Sequence, residues 1–242
     1  MRSCLVCHYP LLGFHHLVCN PWNNRICEVG MPLNKQSGNM YPFVTHTWNP
    51  IRGRCPHDCV YCYMKGKPVG ELRFEEKELK TNLGEGRFIF VGSSTDMFAT
   101  MVPEYWIFQT LYHCRQFKNT YLFQTKNPQR FLNFIFPENS IFGTTIETNR
   151  KMSISRAPEI YSRKHWICHM SRRMVSIEPI LDFDLDSMIL AISYIRPEFV
   201  SIGADSKGHN LPEPSPDKVK VLIEELKKFT EVKIKDNLKR LL

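Results

Sequence analysis

From Arg87 onward, short runs of β-branched and aromatic residues alternate with longer stretches whose apolar positions recur every three or four residues. Runs of the first kind suit strands, stretches of the second suit amphipathic helices, and their regular alternation is the pattern of βα units around a parallel sheet. Strands are predicted over 43–47, 88–93, 120–125, 140–147, 174–180, 199–202 and 232–234, and helices over 103–117, 127–134, 157–170, 185–195 and 216–229. Pro103 and Pro216 sit where a first helical turn tolerates proline, and Ser215 is placed to cap the helix that follows. Such repeats build either a barrel or an open doubly wound sheet, and periodicity does not separate the two. The number of strands favours an α/β partial (β/α)6-7 barrel of the TIM type.

The first 39 residues lack any period and scatter Cys, His, Pro and Asn, so they predict an irregular extension over 1–39 ahead of a barrel domain over 40–242. Met31 and Met40 are each candidate starts. Within the extension Cys4 and Cys7 form a zinc half-site, with Cys19, Cys27, His8, His15 and His16 nearby, or else these are unpaired thiols.

Hydrophobic residues make up 43% of the 242-residue chain and charged residues 23%, a globular balance that excludes disordered and fibrous classes. No apolar run approaches the ~20 residues of a membrane span, and the N-terminus does not read as a signal peptide. A cytoplasmic protein without membrane attachment is expected. Nine cysteines in that setting favour reduced thiols or metal ligation over disulfides. The formal charge of +8 suits an anionic partner such as nucleic acid, and equally suits simple solubility.

The decisive segment runs from Thr47 to Met64, TWNPIRGRCPHDCVYCYM, where Cys55, Cys59 and Cys62 fall at C-x3-C-x2-C. Structural zinc normally closes with four ligands, whereas a cubane held by three thiolates keeps one iron open for a ligand that is not protein. A zinc site completed by His57, His46 or another cysteine is the competing reading. The loop follows the first predicted strand, at the carboxyl end where barrels and open α/β sheets bind ligands.

With Tyr61 before the last cysteine, the motif resembles the signature of the radical S-adenosylmethionine superfamily. The chain is similar to the phage-associated three-cysteine family within it and, more distantly, to spore photoproduct lyases. That likeness covers about residues 43–242 and rests also on FVGSSTDMF, FQTKNPQRF, SIEPIL and the closing VKIKDNL. It implies a partial barrel of the radical S-adenosylmethionine kind, a 4Fe–4S cluster on Cys55, Cys59 and Cys62, and S-adenosylmethionine bound at the open iron. It further implies reductive cleavage to a 5′-deoxyadenosyl radical that takes hydrogen from a substrate, and an electron donor such as flavodoxin or ferredoxin.

Around that centre, Tyr61, Ser93, Ser94, Asp96, Lys126, Thr145, Glu147 and Glu178 are candidate cofactor contacts. The superfamily often places an acidic or glycine-rich segment against the cofactor's amino group after the second strand. Here the Gly92-Ser93-Ser94-Thr95-Asp96 stretch offers hydroxyl and carboxylate acceptors, although Asp96 also suits a helix cap. Lys126 follows the third strand, where similarly placed basic residues meet the cofactor carboxylate, or else it is a solvated lysine. Thr145 and Glu147 share one side of their strand by its two-residue period and are candidates for the ribose hydroxyls. Glu178 ends the fifth strand among apolar residues, where a carboxylate is costly without a partner, and Arg172 or Arg173 would supply a bridge. Asp205, Lys235 and Asp236 lie at later strand ends as substrate contacts or loop residues, and lone Cys114 and Cys168 read as buried small hydrophobes. Nucleic acid is favoured as substrate over a peptide or small metabolite. From a different class stands a non-catalytic, metal-stabilised nucleic-acid-binding module.

Overall fold

The computed structural model of the protein describes residues 33–36 and 38–242, so Cys4, Cys7, Cys19 and Cys27 lie outside the described residues. The elements in chain order are β1 (Asn34–Lys35), β2 (His46–Trp48), β3 (Ile51–Arg52), β4 (Arg73–Phe74), β5 (Phe88–Val91), α1 (Glu104–Cys114), β6 (Thr120–Gln124), β7 (Ser140–Thr145), α2 (Ile160–Ile167), β8 (Arg173–Ile177), α3 (Leu185–Ile195), β9 (Phe199–Ile202), α4 (Pro216–Lys227) and β10 (Glu231–Ile234). Eight strands form one sheet in the order β1-β2-β5-β6-β7-β8-β9-β10. All neighbours are parallel except β1, which runs antiparallel to β2. β3 and β4 pair separately.

The architecture is therefore a partial barrel, with β1 and β10 as its open edges. β1 falls inside the stretch expected to be irregular, so the sheet begins ahead of residue 40. Its two-residue length left no period to detect. The segment 127–134 is a 3-10 turn, Pro128–Asn133, where an α-helix was expected. The helical piece is only six residues long, and i→i+3 bonding is typical of such short connector segments. The strand predicted over 174–180 ends at Ile177, since Pro179 has no N–H to give a ladder. Ser215 does cap α4, accepting from the Lys218 amide.

Strand period two divides the core. On the outer face Ile89, Val91, Tyr121, Phe123, Phe142, Val175, Ile177, Val200 and Ile202 pack under the helices. Each helix supplies a matching stripe: Met188, Ile192 and Ile195 of α3, and Val219, Leu222, Ile223 and Leu226 of α4. On the inner face Phe90, Leu122, Ile141, Met174 and Phe199 form a second cluster, closed by Tyr41, Phe43 and Val44 from the stretch before β2. That stretch bridges the open edge, where the Phe43 ring meets Phe199 at 4.9 Å and Lys235 Nζ donates to the Asn39 carbonyl. Among the described residues no helix is long and apolar enough to cross a membrane.

Phe98, fully buried, follows β5 and anchors an aromatic cluster, with ring centroids 4.8 Å from Phe131 and 5.8 Å from Phe136. Phe98→Ala should cost about 3–5 kcal/mol through lost burial and a residual cavity. Urea unfolding of the cluster-free protein should show a lower midpoint at unchanged slope.

Candidate functional site

At the carboxyl ends of the strands the inner face turns polar. Gln124 and Lys126 continue the row begun by Leu122, Thr145 continues that of Ile141, and Ser176 and Glu178 continue that of Met174. These side chains, with Cys55, Cys59, Cys62, Tyr61, Ser93, Ser94, Asp96, Asp205 and Lys235, line one cavity of about 560 Å³. Of the residues singled out from sequence, only Glu147 of the cofactor set lies outside this wall. Asp236 is on the surface, paired with Lys239 at 2.8 Å. Cys114 is buried in the helix-side core, as expected, and Cys168 is half-buried at the end of α2.

The cysteine loop is built by short-range turns and by tethers to its neighbours. Asp58 N donates to Cys55 O at 3.2 Å and Cys62 N to Cys59 O at 3.1 Å, so the chain turns tightly after the first and second cysteines. Entry to the loop passes through Gly53, whose φ of +110° and approach to Glu71 leave no space for a Cβ, which would stand 2.0 Å from the Glu71 carbonyl oxygen. Asn49 reaches across to the end of β5, its Oδ1 accepting from the Ser94 amide at 2.8 Å and the Ser93 hydroxyl at 3.1 Å. Val60 N donates to Ile154 O at 2.9 Å, and Arg156 N to His57 O at 2.7 Å.

Asp96 is a buttress of this loop. One of its oxygens accepts from the Phe98 amide at 3.0 Å, and the other accepts from the Thr125 hydroxyl at 2.9 Å and the Lys126 amide at 2.8 Å. His57 Nε2 stands 3.0 Å from that second oxygen. The helix-cap alternative fails on position, since α1 begins at Glu104 and Asp96 closes a local turn onto Phe98. Burial alone would raise this carboxyl, but the His57 imidazole and the two donors from the end of β6 outweigh it and hold the carboxyl below its ordinary range.

Lys126 projects into the cavity, its Nζ 3.4 Å from Thr145 Oγ1 and 5.3 Å above the Tyr61 ring. Burial opposes its charge, yet the Cys59 sulfur and the Glu147 carboxylate prevail and raise it above the usual lysine value. Among the described residues no carboxylate lies within bonding distance of its ammonium, unlike that of Lys235, and the side chain is half-buried in the cavity wall rather than free on the surface. Glu178 pairs with Lys235 at 2.8 Å and accepts from Asn39 at 3.2 Å and Asn237 at 3.3 Å. The bridge expected from Arg172 or Arg173 is absent: Arg172 pairs with Glu198, and Arg173 donates to the Cys168 carbonyl. Gly203 accommodates Glu178, because a Cβ there would lie 2.8 Å from its Oε1.

The thiols fit a cluster better than a single ion. Among the described residues no three His, Cys, Asp or Glu side chains converge as one ion requires. A cubane takes one thiolate at each of three iron corners, so its ligands surround a volume rather than meet at a point. His57 Nε2 faces Asp96 and His46 Nδ1 contacts Thr45 Oγ1, so each of these nitrogens already has a protein neighbour. Burial pushes the Cys55 thiol up to about 12, with the negative Asp96 adding to the effect, and burial raises Cys59 likewise. Holding these sulfurs as thiolates takes a cationic centre among them. Beside them Ser94 Oγ is buried without a hydrogen-bond partner, a cavity-wall acceptor left for something other than protein.

Two solved structures of spore photoproduct lyase, a radical S-adenosylmethionine enzyme, are similar to this chain in fold. One is a double mutant with bound AdoMet and dinucleoside spore photoproduct, at a TM-score of 0.52 and 9% identity over 80% of this chain and 64% of that one. The other is a single mutant, at a TM-score of 0.57 and 8% identity over 83% of this chain and 80% of that one. This chain shares its fold with spore photoproduct lyase. It spans just under two thirds of the length of the first lyase chain and most of the second. No family model matches the sequence, and no curated protein matches it.

Several cavity residues escaped the sequence reading. Gln124 and Ser176 carry the parity of Lys126 and Glu178, so strand period extended inward from the mouth would have found them. Tyr41, whose hydroxyl bonds Gln124 Oε1 and Ser176 Oγ at 2.8 Å each, and Asn39 come from a stretch without periodicity. Lys207 reaches the Tyr63 carbonyl at 2.8 Å and so ties the loop after β9 to the cysteine loop.

Because Asp96 is held below its ordinary range, its ionised form contributes stability that is present above about pH 3.9, the unfolded value, and lost as pH falls through the lower folded value. Asp96→Ala should therefore cost about 3–5 kcal/mol at neutral pH, as expected for removing one side of a buried charged contact. It should also flatten the acid limb of stability against pH, read from urea midpoints of the cluster-free protein.

Proposed function

We infer that the protein is a radical S-adenosylmethionine enzyme. One observation carries the reading: the three thiols of C-x3-C-x2-C line one cavity at the carboxyl ends of seven parallel strands, with no fourth ligand gathered to them among the described residues. Cys55, Cys59 and Cys62 are the residues that would hold a 4Fe–4S cluster. When bound, cluster and S-adenosylmethionine together supply a one-electron reductive cleavage whose 5′-deoxyadenosyl radical abstracts hydrogen from substrate.

The chain's own residues divide the remaining work by position. Ser93 and Ser94 offer hydroxyls to the cofactor's ammonium, and the unpartnered Ser94 Oγ is the better placed. Lys126, with no carboxylate of its own, is the cation for the cofactor carboxylate, and Thr145 beside it is a hydroxyl for the ribose. The Tyr61 ring lies under Lys126 and shields the ammonium from water. Asp96 is fully occupied by the protein and acts by seating the loop. Glu178, held by Lys235, Asn39 and Asn237 on the opposite wall, belongs to the substrate side. Apolar Phe90 and Met40 complete the lining, which excludes water and stray hydrogen donors from the reacting atoms.

For the substrate we favour nucleic acid over a peptide or small metabolite. The support is the charge of +8 and the lysines Lys67 and Lys207 at the cavity rim, both exposed. A reduced flavodoxin or ferredoxin is the electron donor this chemistry calls for. The cytoplasm, where thiols stay reduced, is the compartment it suits.

Anaerobic reconstitution with iron and sulfide, followed by dithionite and S-adenosylmethionine, should release 5′-deoxyadenosine and methionine. Changing Cys55, Cys59 and Cys62 together to Ala should abolish both products. Stoichiometric zinc in a colourless protein, or product persisting in the triple variant, would overturn the assignment. With deuterated DNA, RNA and peptide pools, label should enter 5′-deoxyadenosine from a nucleic acid; label from the peptide pool alone would reject that substrate class.

A further inference from the structure

Glu147 is fully buried and Arg163 nearly so, and neither lines the cavity. Arg163 Nη1 donates to both Glu147 oxygens, at 3.1 and 2.8 Å, and to the Thr145 carbonyl at 3.1 Å, while its Nε donates to the Pro158 carbonyl at 2.7 Å. The other partner of this carboxylate is the Tyr61 hydroxyl, which donates to Glu147 Oε1. Tyr61 sits between Cys59 and Cys62, and the stretch of chain leading to Arg163 also grips the cysteine loop through Ile154 and Arg156. Burying two opposite charges is costly, and an apolar pair of similar volume usually stabilises a fold as well or better. An apolar pair cannot, however, fix the direction of a phenol O–H.

We propose that Glu147 and Arg163 are positioning residues for the cysteine loop: the ion pair presents one aimed acceptor to Tyr61, and Tyr61 in turn sets the Cys59 and Cys62 sulfurs toward the cavity before any cluster is present. Its purpose rests on the proposed cluster, but its test does not.

The test uses cluster-free protein alkylated with iodoacetamide, with the rate at each cysteine read by peptide mass spectrometry. Tyr61→Phe removes only the hydroxyl, and the double change Glu147→Leu with Arg163→Met removes the acceptor while sparing the core a lone buried charge. In both variants Cys59 and Cys62 should react faster by about fivefold, the change in local opening that accompanies loss of one ordinary hydrogen bond. Cys114, in the helix-side core, should keep its wild-type rate and so report that the fold is intact. After reconstitution and reduction, Tyr61→Phe should give a broader electron paramagnetic resonance signal than wild type. Wild-type alkylation rates at Cys59 and Cys62 in both variants would overturn the proposal, even where 5′-deoxyadenosine forms. Faster alkylation in a protein that takes up no iron would uphold the positioning role and sink the cluster reading instead.

Discussion

Two buried carboxylates hold the cysteine loop, and the rest of the site depends on that grip. Asp96, from the turn after β5, ties the loop through His57 to the end of β6. Glu147, just past the end of β7, receives the Tyr61 hydroxyl while bound to Arg163. A loop carrying three thiols gains little from hydrophobic burial, and burial disfavours their charged forms, so unaided it would have no reason to hold one shape. Fixed acceptors on the rigid sheet supply that reason, and they act before a metal arrives.

The sheet itself is graded from apolar to polar along each inner row. Phe90, Leu122, Ile141, Met174 and Phe199 form a dry floor with Tyr41 and Phe43, while Lys126, Thr145, Ser176 and Glu178 lie above it. The floor costs the barrel no unsatisfied backbone, because the parallel ladder already pairs those groups. The mouth can then carry opposed charges at moderate cost, each met by a partner: Glu178 by Lys235, Asp205 by His209 and backbone amides. Lys126 alone of the cavity's inner-row cations has a hydroxyl and an aromatic face rather than a carboxylate, and for that reason it is the side chain assigned to an anionic group of a ligand.

Much of this was legible in the sequence because strands and helices announce themselves by period. The seven parallel strands and the stripes of α3 and α4 fall where apolar spacing puts them, and the cysteine spacing pointed to the site. Pairwise partners were not legible. Glu178 was expected to meet Arg172 or Arg173, neighbours in sequence, and instead meets Lys235 from two strands away, because the arginines lie at the start of β8 while Glu178 and Lys235 follow the carboxyl ends of β8 and β10. Glu147 shares a strand row with Thr145, yet the ladder stops at Thr145, and beyond it the chain carries the carboxylate out of the cavity toward Arg163. Tyr41 and Asn39 lie in a stretch with no period at all, and only the closing of the open edge gives them a place.

At the centre stands one claim: three thiolates leave an iron corner free, and S-adenosylmethionine occupies it. The direct measurement is electron-nuclear double resonance on the reduced, reconstituted protein with S-adenosylmethionine labelled by 17O in its carboxylate and 15N in its amino group. Hyperfine coupling of both labels to the cluster is the predicted result. A cluster signal unchanged by the cofactor, with neither nucleus coupled, would contradict it.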